Sequence, residues 1–208
     1  MKIKKLVMLF ISLLLIFTFV ACGEENMEQV ENETDTLVET DEDSNSDAND
    51  NLGKRSNPVP IGEWIEFKDT YYESIESSDQ IEGTFKLRIT EVERGDSAFE
   101  QLIEENEFNE PAPEGHEWII AHFETEMLDG DEDSPYTVVP FINVMSSSGN
   151  EVSQDEYGTL DGDEFGYVDL FPGGSHSGRV TNYVPEGDES LLVYEYGLES
   201  GIYFSITE

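Results

Sequence analysis

The strongest strand signal in the chain is the run Trp118-Ile119-Ile120-Ala121-His122-Phe123-Glu124-Thr125-Glu126-Met127. Apolar and polar side chains alternate along its second half, which is the period of a strand with one buried face. The inner face is predicted to carry Ile119, Ala121, Phe123 and Thr125. The opposite face is predicted to carry His122, Glu124 and Glu126. This run therefore predicts a strand that contributes one whole side to a hydrophobic core.

Shorter runs of β-forming residues lie on both sides of this strand. The predicted strands span residues 61–67, 70–75, 83–90, 138–145, 165–171, 178–184, 191–196 and 202–206. Turns rich in Gly and Pro separate them, for example Pro172-Gly173-Gly174. Many short strands punctuated in this way are typical of two packed antiparallel sheets. The pattern predicts an all-β sandwich.

One segment follows a helical period instead. Ser97-Ala98-Phe99-Glu100 has the spacing of a capping box, in which a Ser side chain and a Glu three residues later cap the first turn. Leu102 and Ile103 continue an apolar stripe at helical spacing. We therefore expect a short helix over about residues 97–107, inserted between two strands.

The charge of the chain excludes one class of partner. There are 48 acidic and 10 basic residues, so the formal net charge is −38. Binding nucleic acid by its phosphates requires clustered Lys and Arg side chains. The only tight basic cluster is Lys2, Lys4 and Lys5, and it precedes a long apolar run. No nucleic-acid partner is expected, and charge-driven adsorption to an anionic lipid surface is disfavoured as well.

The first 21 residues have the layout of a signal peptide. Basic residues at the start are followed by an apolar run from Leu6 to Val20, which only Ser12 and Thr18 interrupt. This run is shorter than the roughly 20 residues that a membrane-spanning helix needs. Its length suits the hydrophobic region of a signal peptide. Residues 1–21 are therefore predicted to be a lipoprotein signal peptide, given the cysteine that follows.

The single cysteine lies directly after that run, in Phe19-Val20-Ala21-Cys22-Gly23. This stretch resembles the lipobox of bacterial lipoproteins, where a small residue precedes a cysteine that is acylated and becomes the mature N-terminus. Leu is usual three residues before the cysteine, and Phe19 departs from that pattern. The resemblance implies lipidation of Cys22 and a lipid-anchored location on the extracytoplasmic face of the cell membrane. A buried free thiol and a retained signal anchor are the alternatives.

Residues 22–57 are predicted to be a disordered acidic tether after the lipidated Cys22. Positions 23–57 contain 12 acidic residues, two basic residues and no aromatic residue. Such a segment cannot bury enough apolar surface to offset the entropy of ordering. The favoured role is a spacer that holds a domain away from the membrane. An acidic tail that recruits a basic partner or cations is the alternative. The remainder, residues 58–208, is predicted to be one β-sandwich domain.

Several segments of this domain are similar to one bacterial family. Pro113-Glu114-Gly115-His116-Glu117-Trp118 resembles the start of its central strand, and Phe171-Pro172-Gly173-Gly174 resembles a later turn. Tyr183-Val184-Pro185 matches a strand end, and Pro60-Ile61-Gly62 is similar to its opening. These are features of bacterial lipoproteins with a telokin-like, immunoglobulin-fold domain of unknown function. The resemblance implies an immunoglobulin-like β-sandwich and a surface location. It implies no activity and no site residue other than Cys22.

Two acidic loops are candidate cation sites. Asp129, Asp131 and Asp133 have the spacing of the first three ligands of an EF-hand calcium loop. The complete loop also requires Gly and Glu at later positions, where this chain has Ser134 and Pro140. Weak Ca²⁺ binding by the three carboxylates is the hypothesis, with the segment Asp161–Glu164 as a second loop of the same kind. A solvated acidic loop is the alternative reading.

No arrangement of residues along the sequence indicates catalysis. His116, His122 and His176 are too dispersed to suggest a zinc site. Gly174–Gly178 has His176 rather than Ser at its centre, so it is predicted to be a glycine-rich hairpin turn and not a nucleophile elbow. We therefore expect a protein that is not an enzyme, has no cofactor, and binds a protein or a cell-envelope component. A calcium-binding surface protein and a hydrolase with residues far apart in sequence are the alternatives.

Overall fold

The described residues of the computed structural model are 51–73, 76–197 and 200–207, and they contain ten strands and one helix. The elements are β1 (Ile65–Tyr72), β2 (Gln80–Arg94), α1 (Asp96–Glu105), β3 (His116–Asp129), β4 (Tyr136–Val138), β5 (Ile142–Met145), β6 (Glu151–Val152), β7 (Val168–Leu170), β8 (Ser175–Pro185), β9 (Leu191–Tyr196) and β10 (Ser200–Ser205). They belong to one unit, Glu42–Glu208. The unit Met1–Asp41, with the predicted signal peptide and Cys22, lies outside the described residues.

The strands form two four-stranded antiparallel sheets. The first has the order β1-β2-β3-β8 and the second the order β10-β9-β5-β6, while β4 and β7 form a small third pair. The two large sheets share one hydrophobic core, in which the ring of Phe123 lies 5.7 Å from that of Phe204. Phe67 and Tyr194 make a second contact between the sheets at 6.0 Å. The predicted all-β sandwich with one inserted helix is confirmed.

Strand β3 lies between two neighbours in the first sheet, and its predicted inner face is correct. Ile119, Ala121, Phe123 and Thr125 are all buried. Trp118 and Ile120, on the opposite face, are buried as well because helix α1 packs there. The sequence prediction of a single buried face was therefore incomplete for the first half of this strand.

The helix begins differently from the capping box predicted for Ser97. Gly95 occupies the N-cap position, and no side chain caps the helix. The Ser97 hydroxyl instead donates backwards to the carbonyl oxygen of Arg94, at 3.1 Å. Glycine is an accepted N-cap residue because its backbone tolerates the required conformation, here with a positive φ of 69°.

Several strand boundaries were wrong for identifiable reasons. The two strands predicted at 61–67 and 70–75 are the single strand β1, which follows a turn around Gly62. The strand predicted at 138–145 is split into β4 and β5 on either side of Pro140, which has no backbone N–H to donate. The hairpin turn predicted at Gly174–Gly178 ends earlier, because β8 already begins at Ser175.

The domain includes residues that the sequence placed in the tether. The backbone N–H of Tyr203 donates to the carbonyl oxygen of Gly53 at 2.8 Å, and Val59 pairs with Phe204. Gly53 has a φ of 81°, and a Cβ there would lie 2.4 Å from Cδ1 of Ile65, so this approach requires glycine. Residues 51–57 thus pack on β10, and the disordered segment predicted for 22–57 does not extend through them.

Candidate functional site: a polar ledge on the open sheet face

Helix α1 covers one half of the outer face of the first sheet. Beneath it lies a small apolar cluster that is separate from the main core. Its buried members are Ala98, Leu102, Trp118, Ile120, Leu160 and Tyr183. The buried Asn109 amide fastens the neighbouring loop over this cluster, since it donates to the carbonyl oxygens of Leu102 and Thr159 at 2.7 and 2.9 Å. This half of the face is thus covered by the helix and contributes to the fold.

The other half of the same face carries cross-strand ion pairs. Nζ of Lys86 lies 2.6 Å from Oε2 of Glu126, and Nε of Arg88 donates to Oε2 of Glu124 at 2.8 Å. The Arg88 guanidinium also lies over the ring of Trp64, 4.3 Å from its centroid. Such pairs and cation–π contacts hold long side chains in place more than they stabilise the domain. The open half therefore presents a row of polar groups in fixed positions.

An open cavity of about 660 Å³ lies on this polar side of the first sheet. We call it the ledge, and its lining comprises Thr90, His122, Phe123, Glu124, Asp163, Ser177, Gly178 and Arg179. The polar members come from β2, β3, β8 and the loop before β7. Sheet pairing brings the members of β3 and β8 together, since His122 lies opposite Arg179 and Glu124 lies opposite Ser177.

A charged network joins the ledge to the end of the helix. Glu105 and Arg179 form a bidentate ion pair, in which Nη2 of Arg179 donates to Oε2 of Glu105 at 3.1 Å. The hydrogen bonds from Arg179 hold the pKa of Glu105 below its usual value, and Glu105 in turn raises the pKa of Arg179. In the amide orientation that satisfies both neighbours, Gln101 donates to Glu93 at 2.7 Å and accepts from Arg179 at 3.2 Å. Arg179 is thus positioned from the helix side.

His122 lies on the polar face, as predicted, and is only partly exposed. Its Nε2 atom is buried and has no hydrogen-bond partner among the described residues, and Oε2 of Glu93 is 3.5 Å away. His116 and His176 contact other groups: Nδ1 of His116 lies 3.2 Å from the carbonyl oxygen of Glu114, and His176 accepts a hydrogen bond from the backbone of Gly166. The three histidines do not meet.

Asp163 lines the ledge and has an unusual backbone conformation. Its φ is 52°, in the left-handed region that only Gly, Asn and Asp adopt readily. Its carbonyl oxygen accepts a hydrogen bond from the backbone N–H of Arg179 at 2.6 Å. Gly178 permits this close approach, because a Cβ there would lie 2.5 Å from the backbone nitrogen of Phe165. Within the described part of the chain, neither the Asp163 carboxylate nor the Ser177 hydroxyl makes a hydrogen bond.

The predicted calcium residues lie at the end of β3 and in the loop after it. Oδ1 of Asp131 accepts a hydrogen bond from the backbone N–H of Asp133 at 2.9 Å, which lowers the pKa of Asp131. Asp129 is the last residue of β3. Among residues 51–73, 76–197 and 200–207, no group of three His, Cys, Asp or Glu side chains converges so that it could hold a metal ion. Calcium binding at these positions stays a prediction.

The second acidic loop lies beside the helix. The backbone N–H of Asp161 donates to Oε2 of Glu105 at 2.8 Å, and Glu164 pairs with Arg179 through a backbone bridge. Asp163 of this loop lines the ledge. The segment Asp161–Glu164 therefore shapes the ledge, a role that its acidic composition did not suggest.

No family model and no curated protein matches the chain. Among solved structures, the chain is similar to the candidate lipoprotein YcdA of Bacillus subtilis, with 12% identity and a TM-score of 0.42. The alignment covers 59% of this chain and 36% of that one, so the chain spans about a third of its length. A TM-score below 0.5 does not establish a shared fold, and the telokin-like resemblance stays a prediction.

Across the described residues, α1 is the single helix, and no helix there has the length and apolar character needed to cross a bilayer. Cys22 and the apolar run before it are outside those residues.

Proposed function

We propose that this chain is a lipid-anchored, extracytoplasmic surface module that binds a protein or a cell-envelope component and catalyses no reaction. The observation that carries the anchor is Cys22, which directly follows an apolar run of signal-peptide length. Two or more acyl chains on such a cysteine give stable membrane attachment, whereas one chain is marginal. The acidic segment after it then acts as a spacer between the membrane and the sandwich.

The binding role rests on the open half of the first sheet. Rigid sheets present side chains precisely enough for recognition, and exposed polar rows on them are suited to contacts with a partner. The ledge offers hydroxyl, carboxylate, imidazole and guanidinium groups around one cavity.

The anchor is tested by replacing the cysteine in the full chain. Cys22→Ala is expected to abolish incorporation of labelled fatty acid and either to release the protein from membranes or to leave it unprocessed. The matched control is Phe19→Leu, which restores the usual lipobox residue and is expected to keep both labelling and membrane attachment. Fractionation of cells followed by measurement of the mature mass reads out both properties. A Cys22→Ala chain that stays membrane-bound at the mature size would contradict the proposal.

A further inference from the structure

We infer that the outer face of the small β4–β7 sheet is a docking surface for a basic protein segment, one that carries Lys or Arg side chains beside apolar ones. We call this surface the aromatic face, and it comprises Thr137, Phe141, Tyr167, Asp169 and Phe171, all of which are exposed. None of these residues lines the ledge. The inference therefore goes beyond the proposed function and does not depend on it.

The small sheet has one buried side and one open side. The buried side belongs to the main core and carries Tyr136, Val138 and Leu170. Thr137 and Asp169 alternate with these residues on the open side, where the Thr137 hydroxyl donates to Oδ1 of Asp169 at 2.6 Å. Phe171 continues the alternation of β7 and is exposed as well. The open side thus carries an aromatic ring next to a carboxylate.

Two further aromatic side chains lie at the other end of this sheet. Pro140 packs against Gly166, where a Cβ would lie 2.5 Å from Cδ of the proline ring. Phe141 directly follows Pro140 and Tyr167 directly follows Gly166, so both aromatic residues adjoin this contact. They are 62% and 77% exposed. Large apolar side chains that are grouped at a surface mark interaction sites, whereas single ones are ordinary.

The backbone holds Tyr167 in a conformation that bulky residues rarely adopt. Its φ is 53°, in the left-handed region, and its backbone N–H donates to the carbonyl oxygen of Val138 at 2.7 Å. Burial of the ring does not compensate for this conformation, because the ring is mostly exposed. Backbone strain of this kind clusters at functional sites. The strain at Tyr167 is accounted for if the exposed ring serves to contact a partner.

Acidic side chains surround the aromatic face. Asp169 lies on the face itself, and the backbone N–H of Glu195 donates to the carbonyl oxygen of Phe141 at 2.8 Å. A cavity of about 580 Å³ adjoins the face at Thr137 and Asp169, and the charged residues that line it are Glu73 and Asp169. This volume lies within the roughly 300–1,000 Å³ of ligand sites, so a long basic side chain fits.

The basic side chains of the domain do not balance these carboxylates. Residues 58–208 contain 36 acidic and 5 basic side chains, and each basic one forms an ion pair elsewhere. The pairs are Lys68–Glu82, Lys86–Glu126, Arg88–Glu124, Arg94–Glu117 and Arg179–Glu105. Lys54 and Arg55 line another cavity beside Leu191, at the opposite end of β9 from Glu195. His176 accepts a hydrogen bond from Gly166 through Nε2, so that atom carries no proton.

This charge distinguishes among the possible occupants of the aromatic face. A second copy of the domain carries the same net charge of −31, and an anionic lipid surface is negative too, so both are repelled. A neutral sugar gains nothing from the charge. A basic segment is attracted, and its Lys or Arg groups can lie over the Phe and Tyr rings while their apolar stems pack on the aromatic surface.

The test is calorimetric titration of the full chain, purified in detergent, with a short peptide of repeating Arg-Leu-Lys-Gly. We expect saturable binding that weakens at high salt, and none with a matched peptide in which Glu replaces Arg and Lys. The variant Phe141→Ser/Tyr167→Asn should weaken binding by about tenfold, because it removes two aromatic contacts and leaves the charge unchanged. Asn tolerates the left-handed backbone at position 167, so the local fold is kept.

The matched control is Phe108→Ser/Tyr157→Asn. Phe108 and Tyr157 are 83% and 80% exposed and lie outside the aromatic face. This variant should bind the basic peptide as the original chain does. The comparison separates recognition by the aromatic face from attraction by the overall charge, which is the same in both variants. Circular dichroism confirms that each variant is folded before titration.

The inference would be overturned by the absence of saturable heat with the basic peptide, by unchanged affinity in the Phe141→Ser/Tyr167→Asn variant, or by equal weakening in the control. Displacement of the peptide by chitotetraose would overturn it in favour of a glycan. Heat on dilution of the chain alone, if the same variant abolishes it, would overturn it in favour of a second copy. None of these results bears on Cys22 or on the ledge, so failure here and failure of the proposed function are distinguishable.

Discussion

The outer face of the first sheet has two halves that differ in what covers them. Near the start of β3, Trp118 and Ile120 lie under helix α1 and are buried. Farther along the same strand and on the same face, Glu124 and Glu126 are partly exposed and paired with Arg88 and Lys86. One strand thus provides core on one half and a polar surface on the other. The difference shows that the helix divides the face into a covered, apolar half and an open, polar half.

The border between the halves is where the ledge lies. His122 follows Ile120 on that face and lies beside Glu93, while Arg179 reaches from β8 to Glu105 at the end of the helix. Side chains at such a border are supported by packing on one side and reach solvent on the other. This is the arrangement that allows a binding group to be both rigid and accessible.

The largest effect is expected from a substitution under the helix. Ile120→Ala removes a fully buried side chain from the small apolar cluster and should lower the free energy of unfolding by about 3 kcal/mol. Glu126→Ala, on the same face of the same strand but in the open half, should cost less than about 1 kcal/mol. Urea unfolding of both variants followed by circular dichroism measures the two values. Equal losses would show that the two halves do not differ as described.

A smaller effect, with a pH dependence, is expected at the border. Glu105→Gln keeps an oxygen that can accept from Asp161 but removes the charge that pairs with Arg179, and it should cost about 2 kcal/mol at neutral pH. The pKa of Glu105 is lowered in the folded state, from an ordinary value of 4.5. The stability from this pair is therefore present above that value and is lost as the pH falls through the folded-state pKa.

This prediction is checked by unfolding the original chain and the Glu105→Gln variant at several pH values. The difference between them should be largest near pH 7 and should shrink as the solution becomes more acidic. The many other acidic residues affect both chains alike, so the difference isolates Glu105. A difference that stays constant from neutral to acidic pH would contradict the assigned role of this ion pair.

The core strands could be predicted because apolar and polar side chains alternate between neighbouring residues of the sequence. Phe85, Leu87 and Ile89 alternate with polar residues and are buried as expected. The second buried face of β3 also has a local signal, since Ile119 and Ile120 are consecutive apolar residues and a strand covered on both sides loses its alternation. Two consecutive apolar residues indicate that another element covers the outer face of the strand. The prediction of one buried face followed instead the alternation in the second half of the strand.

The ledge had no comparable signal. Asp163, Ser177 and Arg179 come from segments far from Glu105 and Glu124 in sequence. The pairing of β3 with β8 places Ser177 opposite Glu124, while Arg179 contacts both the Asp163 backbone and the Glu105 carboxylate. The alternating carboxylates of Asp129, Asp131 and Asp133 predicted a calcium site because the ligands of a calcium loop can lie close together in sequence. The ledge is built from residues of several strands, so spacing along the chain carries little information about it. Cys22 is the opposite case, because its signal is entirely local.

The most direct test of the central claim, that the open half of the face binds the envelope, is photo-crosslinking on intact cells. A photoreactive p-benzoylphenylalanine replaces Thr90 at the ledge in one full-length chain and Asp133 in the acidic loop of a second, control chain. The account predicts that light joins the first chain to a protein or a cell-envelope component, with much less product from the second. Equal product from both positions, or none from either, would contradict it.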